Sequence, residues 1–168
     1  MKKRIHPQDS SFDKGLLLEG FKVYEIGEYS KDVPDYVRRD FYKICITDGQ
    51  FIISYNNQVT VTSDAILFFG SPHRPYTCQT LAAGFSGYAC VFTQRFLNKN
   101  DSLLNAEDCS LFQKGNSPII SLSKDQNDCI RDIFRKMIAE VKGDYKYKNE
   151  LIRSQIKNLM HFAEMEAN

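Results

Sequence analysis

Residues 36–76, YVRRDFYKICITDGQFIISYNNQVTVTSDAILFFGSPHRPY, limit what this chain can fold into more than any other stretch. The apolar runs FYKICI (41–46), FIISY (51–55), QVTVT (58–62) and AILFF (65–69) are too short for helices. They are separated by Thr47-Asp48-Gly49, Asn56-Asn57 and Ser63-Asp64. Asn-Asn suits a two-residue hairpin, because asparagine tolerates the left-handed backbone that such turns require. FKVYEI (21–26), ending at Gly27, and GYACVF (87–92) extend the same pattern on either side. Strands at short, even spacing with this punctuation imply a sandwich or a barrel.

From about Ser123 the period changes. Ser123 and Gln126 have the spacing of a capping box. Cys129, Ile130, Ile133, Phe134, Met137, Ile138 and Val141 form a helical stripe, and Gly143 is placed to end it. Asp144 is the expected cap of a second helix, whose stripe is Leu151, Ile152, Ile156, Leu159, Met160 and Ala163. So short a connection predicts an antiparallel pair. The expected organisation is an arm over 1–19, a barrel over 20–122 and a two-helix segment over 123–168.

Charge and cysteine content remove several classes. With 22 basic and 21 acidic residues the net charge is +1, which lacks the excess of a free-standing nucleic-acid binder. The start, MKKRIHPQDSSFDKG, has cations but no apolar core behind them, so it reads as an arm and not as an export signal. No stretch approaches the roughly 18 apolar residues of a membrane span. Cys45, Cys78, Cys90, Cys109 and Cys129 are odd in number and contain no CxxC pair, so they read as reduced thiols in a cytoplasmic protein.

The stretches RRDFYKICITDGQ (38–50), SDAILFFGSPHRPY (63–76) and GFSGYACVFTQRFL (84–97), with the closing helices, resemble the N-terminal sensor and dimerisation half of AraC-type transcription regulators. The resemblance runs from Gly20 onward and rests on order and spacing. It implies a mainly β fold with α, a cupin-like (jelly-roll) β-barrel followed by two C-terminal antiparallel helices. It also implies a small-molecule effector, a homodimer, and DNA binding only through a helix-turn-helix module that these residues do not include.

Metal-binding cupins carry His-x-His, then Glu, then a later His. Set against that pattern, Val37 and Arg39 stand at the first two positions, Lys43 at the third and His73 at the last. Val37 cannot coordinate, and Arg39 and Lys43 have the wrong charge, so neither metal nor other cofactor is expected. Positions 37, 39, 41 and 43 share one face of an extended strand. If that face lines the cavity, Arg39 and Lys43 beside His73 suit an acidic ligand, such as a sugar acid or another carboxylate. If the face of Tyr42, Ile44 and Ile46 lines it, the cations are ordinary surface groups, and one residue of slip exchanges the two. Tyr42, Phe51, Tyr76 and Tyr88 are the aromatic candidates for the ligand wall.

The second helix has few neighbours in sequence to cover its stripe. Leu151, Ile152, Ile156, Leu159 and Met160 are therefore the expected dimer contact. No Gly-x-Ser-x-Gly, P-loop or dinucleotide glycine pattern is present. The alternative to a sensor is a metal-independent cupin enzyme, epimerase- or isomerase-like, using His73 with Tyr42 or Tyr76 as an acid–base pair.

Overall fold

The computed structural model describes residues 20–26, 41–80, 86–98, 105–113 and 115–167. Eight strands occur among them: β1 (Phe21–Ile26), β2 (Tyr42–Asp48), β3 (Phe51–Tyr55), β4 (Gln58–Thr62), β5 (Ile66–Gly70), β6 (Tyr76–Thr80), β7 (Ser86–Phe92) and β8 (Ile119–Ser121). They form a five-stranded sheet, ordered β1-β7-β2-β5-β8, and a three-stranded sheet, ordered β4-β3-β6. Every pairing is antiparallel. The result is a cupin-like β fold closed on one side by helices.

Turn chemistry sets the registers. Asn56 and Asn57 have φ of 48° and 60°, the paired left-handed geometry of a type I′ hairpin, and place Tyr55 opposite Gln58. Gly49, at φ 115°, serves the turn between β2 and β3. β6 and β8 were not anticipated. The first follows directly on the Pro-rich turn, and the second has only three residues, too few to show alternation.

Among the described residues there are three α-helices, α1 (Gln94–Leu97) after β7 and α2 (Lys124–Lys142) and α3 (Lys148–Ala167) after β8, with 3₁₀ turns at Ala106–Asp108 and Ser110–Phe112. The Ser123–Gln126 capping box forms in both directions, at 3.2 Å and 2.9 Å. Gly143 ends α2 in an extended conformation, φ −86°, so its freedom to turn left-handed is not used. The expected cap Asp144 lies outside α3, which begins four residues later. Instead the Lys148 ammonium donates to the Val141 and Gly143 carbonyls, 3.4 Å and 3.1 Å away. A cation there satisfies carbonyls that the last turn of a helix leaves unpaired.

Two apolar clusters divide the molecule. One lies between the sheets and contains Ile26, Cys45, Phe51, Ile53, Ile66, Phe68, Tyr76 and Ala89. The other lies between the five-stranded sheet and the helices and contains Ile44, Ile46, Phe92, Phe134, Met137 and the stripe of α3. Ile152, Ile156, Leu159 and Met160 are each fully enclosed in that second cluster. The premise that this stripe needs a second copy to cover it therefore falls for these four residues, because α2 and the turn Ser110–Phe112 pack against this helix. Leu151 stays exposed, as do Tyr145, Tyr147 and Met165.

Phe134 is wholly buried and stacks on Tyr88 at 6.1 Å between ring centroids, so it joins α2 to β7. Phe134→Ala removes a large side chain from a core that cannot collapse onto the gap. The expected loss is about 3–5 kcal/mol of unfolding free energy, read from urea titrations at unchanged m-value.

Candidate functional site

Alternation along the strands assigns each side chain of the five-stranded sheet to the helix side or to the lumen between the sheets. Three cross-strand rows face the lumen. The first is Lys22, Val91, Lys43 and Gly70; the second Tyr24, Ala89, Cys45, Phe68 and Ile119; the third Ile26, Gly87, Thr47, Ile66 and Ser121. Small residues on the central strands let other groups approach closely. An added Cβ at Gly70 would meet the Tyr76 ring at 2.6 Å, so that ring lies over β5 where no side chain stands. Opposite, the three-stranded sheet contributes Phe51, Ile53, Tyr55, Tyr76 and Cys78.

Polar groups stand among the apolar side chains of the lumen. Lys43 is 8% exposed. Burial works against its charge, and Tyr24, Tyr76, Cys78 and Cys45 work the other way, so that its pKa moves upward from the ordinary lysine value. The groups acting most strongly on this ammonium are thus phenols and thiols, and no carboxylate is among them. The Tyr24 hydroxyl is enclosed with no hydrogen-bond partner, and burial raises its pKa, with Lys43 opposing. Lys22 lies in the same row as Lys43, its Nζ 5.6 Å from the Tyr24 ring centroid. At the third row the Thr47 hydroxyl is likewise enclosed and unpartnered. Buried polar atoms without partners are uncommon, and each calls for water, an ion or a ligand.

The sequence-predicted residues divide between the two sides. Lys43, Phe51 and Tyr76 face the lumen, whereas Arg39 and Val37 lie outside the described residues. Tyr42 and Tyr88 occupy positions of the opposite parity and face the helices. Tyr42 stacks on Phe92 at 5.8 Å and meets Phe112 edge-on at 4.8 Å. Tyr88 lies against Phe134 and accepts a hydrogen bond from Arg135 Nε at 3.2 Å. His73 is exposed in the Ser71–Arg74 turn, where its backbone N–H donates to Ser71 Oγ. Its ring is 6.3 Å from that of Tyr42, edge-on, and no hydrogen bond joins the two. Tyr42 and Tyr88 are therefore core residues, and the pairing of His73 with Tyr42 is a packing contact. Among the described residues no cluster of His, Cys, Asp or Glu is arranged to hold a metal.

Lys22, Tyr24 and Thr47 were missed. The alternation of FKVYEI could have revealed the first two, since Lys22, Tyr24 and Ile26 share a face once Phe21 and Val23 are given to the core. Arg74 was missed as well. It is 2% exposed, and its guanidinium stands 5.5 Å from the Tyr55 ring. Its Nη1 donates to the Gln113 and Asn116 carbonyls at 3.1 Å and 2.8 Å, and its Nη2 to Leu111 O at 3.0 Å.

No family model and no curated protein sequence matches the chain. Among solved structures it is similar to the AraC-like transcriptional activator CuxR, at 15% identity and a TM-score of 0.48, over 84% of this chain and 49% of that one. It is also similar to an apo ToxT variant from Vibrio cholerae, at 12% identity and a TM-score of 0.46, over 88% of this chain and 53% of that one. The chain spans about half the length of each. No helix among the described residues is long and apolar enough to cross a membrane.

The thiols give a pH signature. Burial pushes Cys45 up to about 12, against the nearby Lys43 charge, and pushes Cys109 up to about 12 as well. An unfolded thiol ionises near ~8.5. The stability that these protonated thiols carry is therefore complete below about pH 8.5 and is lost as pH rises toward 12. The expected slope is about 1.4 kcal/mol per pH unit for each thiol, measured by denaturant titrations at several alkaline pH values. At pH 8 a disulfide reagent should modify exposed Cys129 rapidly while buried Cys45 and Cys90 stay protected.

Proposed function

We propose that this chain is the effector-sensing domain of an AraC-type transcription regulator, and that its lumen takes a small anionic molecule, a carboxylate such as a sugar acid. The observation that carries the reading is the Lys43 ammonium, enclosed between the sheets beside the unpartnered Tyr24 hydroxyl with no carboxylate among its main neighbours. The surroundings favour the charged form of this lysine, and charge-assisted bonds to an ammonium are among the stronger contacts a ligand can make. The apolar wall of Ile26, Phe51, Ile66 and Phe68 would hold the body of such a ligand, as in most small-molecule sites.

The sequence resemblance supplies the rest of the reading. Ligand occupancy would favour one arrangement of barrel and helices over another, and so alter how an attached DNA-reading module is presented. The domain binds without turnover. DNA contact belongs to that attached module and not to these residues.

The test is saturable binding. Sugar acids and simple carboxylates are screened by calorimetry against the wild-type chain and Lys43→Met, which keeps the length of the stem and removes the charge. The acid that binds should lose roughly 10–100-fold in affinity on substitution, and its uncharged amide should bind both proteins equally weakly. Equal affinity of the acid for the two proteins would rule out the anionic-lumen reading.

A further inference from the structure

Arg153 has a different environment from every other described cation. It lies on α3 and is 7% exposed, yet its Nε and Nη1 are enclosed with no hydrogen-bond partner. Its guanidinium carbon stands 5.2 Å from the centroid of Phe96, on α1. No carboxylate pairs with it among the described residues. One helical turn further on, Lys157 is held below the ordinary lysine value by its own burial and then by the Arg153 charge, so a second cation shares the neighbourhood.

A guanidinium cannot escape burial by releasing its proton. The Phe96 ring compensates one face of the cation, but a ring face accepts nothing from N–H groups that point along the guanidinium plane. Those donors need acceptors in the plane: Nε–H shares one edge with Nη2, where a carboxylate or phosphate can bind in two parallel bonds, and Nη1 points from the other edge toward a further oxygen. Neighbouring Lys157 adds to the field such an acceptor would meet. Phe96 belongs to the cluster between the five-stranded sheet and the helices, so this place is separated from the lumen by the sheet itself.

We propose that Arg153, with Phe96 beneath its guanidinium and Lys157 beside it, forms a second binding site, for a small oxyanion, at the junction of α1 and α3. The site is independent of the lumen ligand. Its occupant ties the segment following β7 to the last helix. The oxyanion is a carboxylate or a phosphate group, and the two are separated by probing with each.

The full chain is titrated with sodium acetate and, separately, with sodium phosphate, with ionic strength held constant by chloride. The Arg153 Nε–H resonance is followed in proton–nitrogen correlation spectra, and thermal unfolding is followed in parallel. The expected result is a saturable shift of that resonance with at least one anion, accompanied by a saturable rise in Tm on the same isotherm. Arg153→Lys retains the charge but not the fork and should bind that anion at least ~10-fold more weakly. Arg153→Met should show no saturable rise at all. A resonance that stays fixed, or moves linearly with both anions, overturns the proposal and leaves Arg153 as a residue that stacks on Phe96 and does nothing more. Should both variants fail to fold, the wild-type spectrum alone decides.

Discussion

The five-stranded sheet is buried on both faces, and everything else in the structure follows from that. In β2 six consecutive residues, Tyr42 to Thr47, are enclosed, and β5 and β7 are enclosed almost throughout. A strand in that position cannot hide a polar side chain at an edge. Each must be matched on its own side or left as a cost. Tyr42, Ile44 and Ile46 meet helices and aromatic rings; Lys43, Cys45 and Thr47 meet the lumen. One residue of slip in β2 would drive an ammonium into the cluster around Phe134 and Met137, where nothing described could receive it. Register is thus fixed by charge as firmly as by apolar area.

The lumen is one place where the rule of matched polar groups is relaxed. A core built only for stability would have an apolar residue at position 43 and no unpaired hydroxyl at 24 or 47, since replacing buried ionic groups by well-packed apolar ones is often neutral or stabilising. On the helices Gln94, Glu140 and Arg153 likewise keep enclosed polar atoms without partners. Unmatched groups of this sort are how a fold keeps chemistry for a ligand at the expense of stability.

Most of the strands were legible because their turns are written in residues with few other uses: Asn56-Asn57 takes the left-handed pair of conformations, and Gly49 the positive φ of its turn. Capping by Ser123 and Gln126 was legible for the same reason, since the motif is local. What was not legible depended on which side of a sheet wins. In β2 both parities are apolar enough to face a core, so the sequence left the lumen face undecided and Tyr42 and Tyr88 were placed with the ligand wall. Their opposite fate is a tertiary matter: the helix stripe of Ile130, Phe134 and Met137 needed partners, and the even-numbered side chains of β2 and β7 provided them. The supposed bareness of α3 failed similarly. Sequence distance suggested nothing was left to cover it, whereas α2 and the turn Ser110–Phe112 both pack against it.

Arg74 shows how the barrel and the last helix are fixed to each other without direct contact between lumen and α3. Its guanidinium faces Tyr55 on the lumen wall, and its three donated hydrogen bonds hold the carbonyls of Leu111, Gln113 and Asn116. The Asn116 side chain donates to the Ser110 carbonyl at 2.8 Å, and Ser110 donates through both its backbone N–H and its hydroxyl to the Glu164 carboxylate on α3. Every link in this path is a hydrogen bond or a ring contact, and two of its members are charged, so a change at one end is not absorbed by loose packing in the middle. A short irregular segment that would otherwise be a weak joint is made stiff by one arginine. The orientation of the end of α3 on the barrel is thereby set from the rim of the lumen, by a residue that sequence patterning gave no reason to notice.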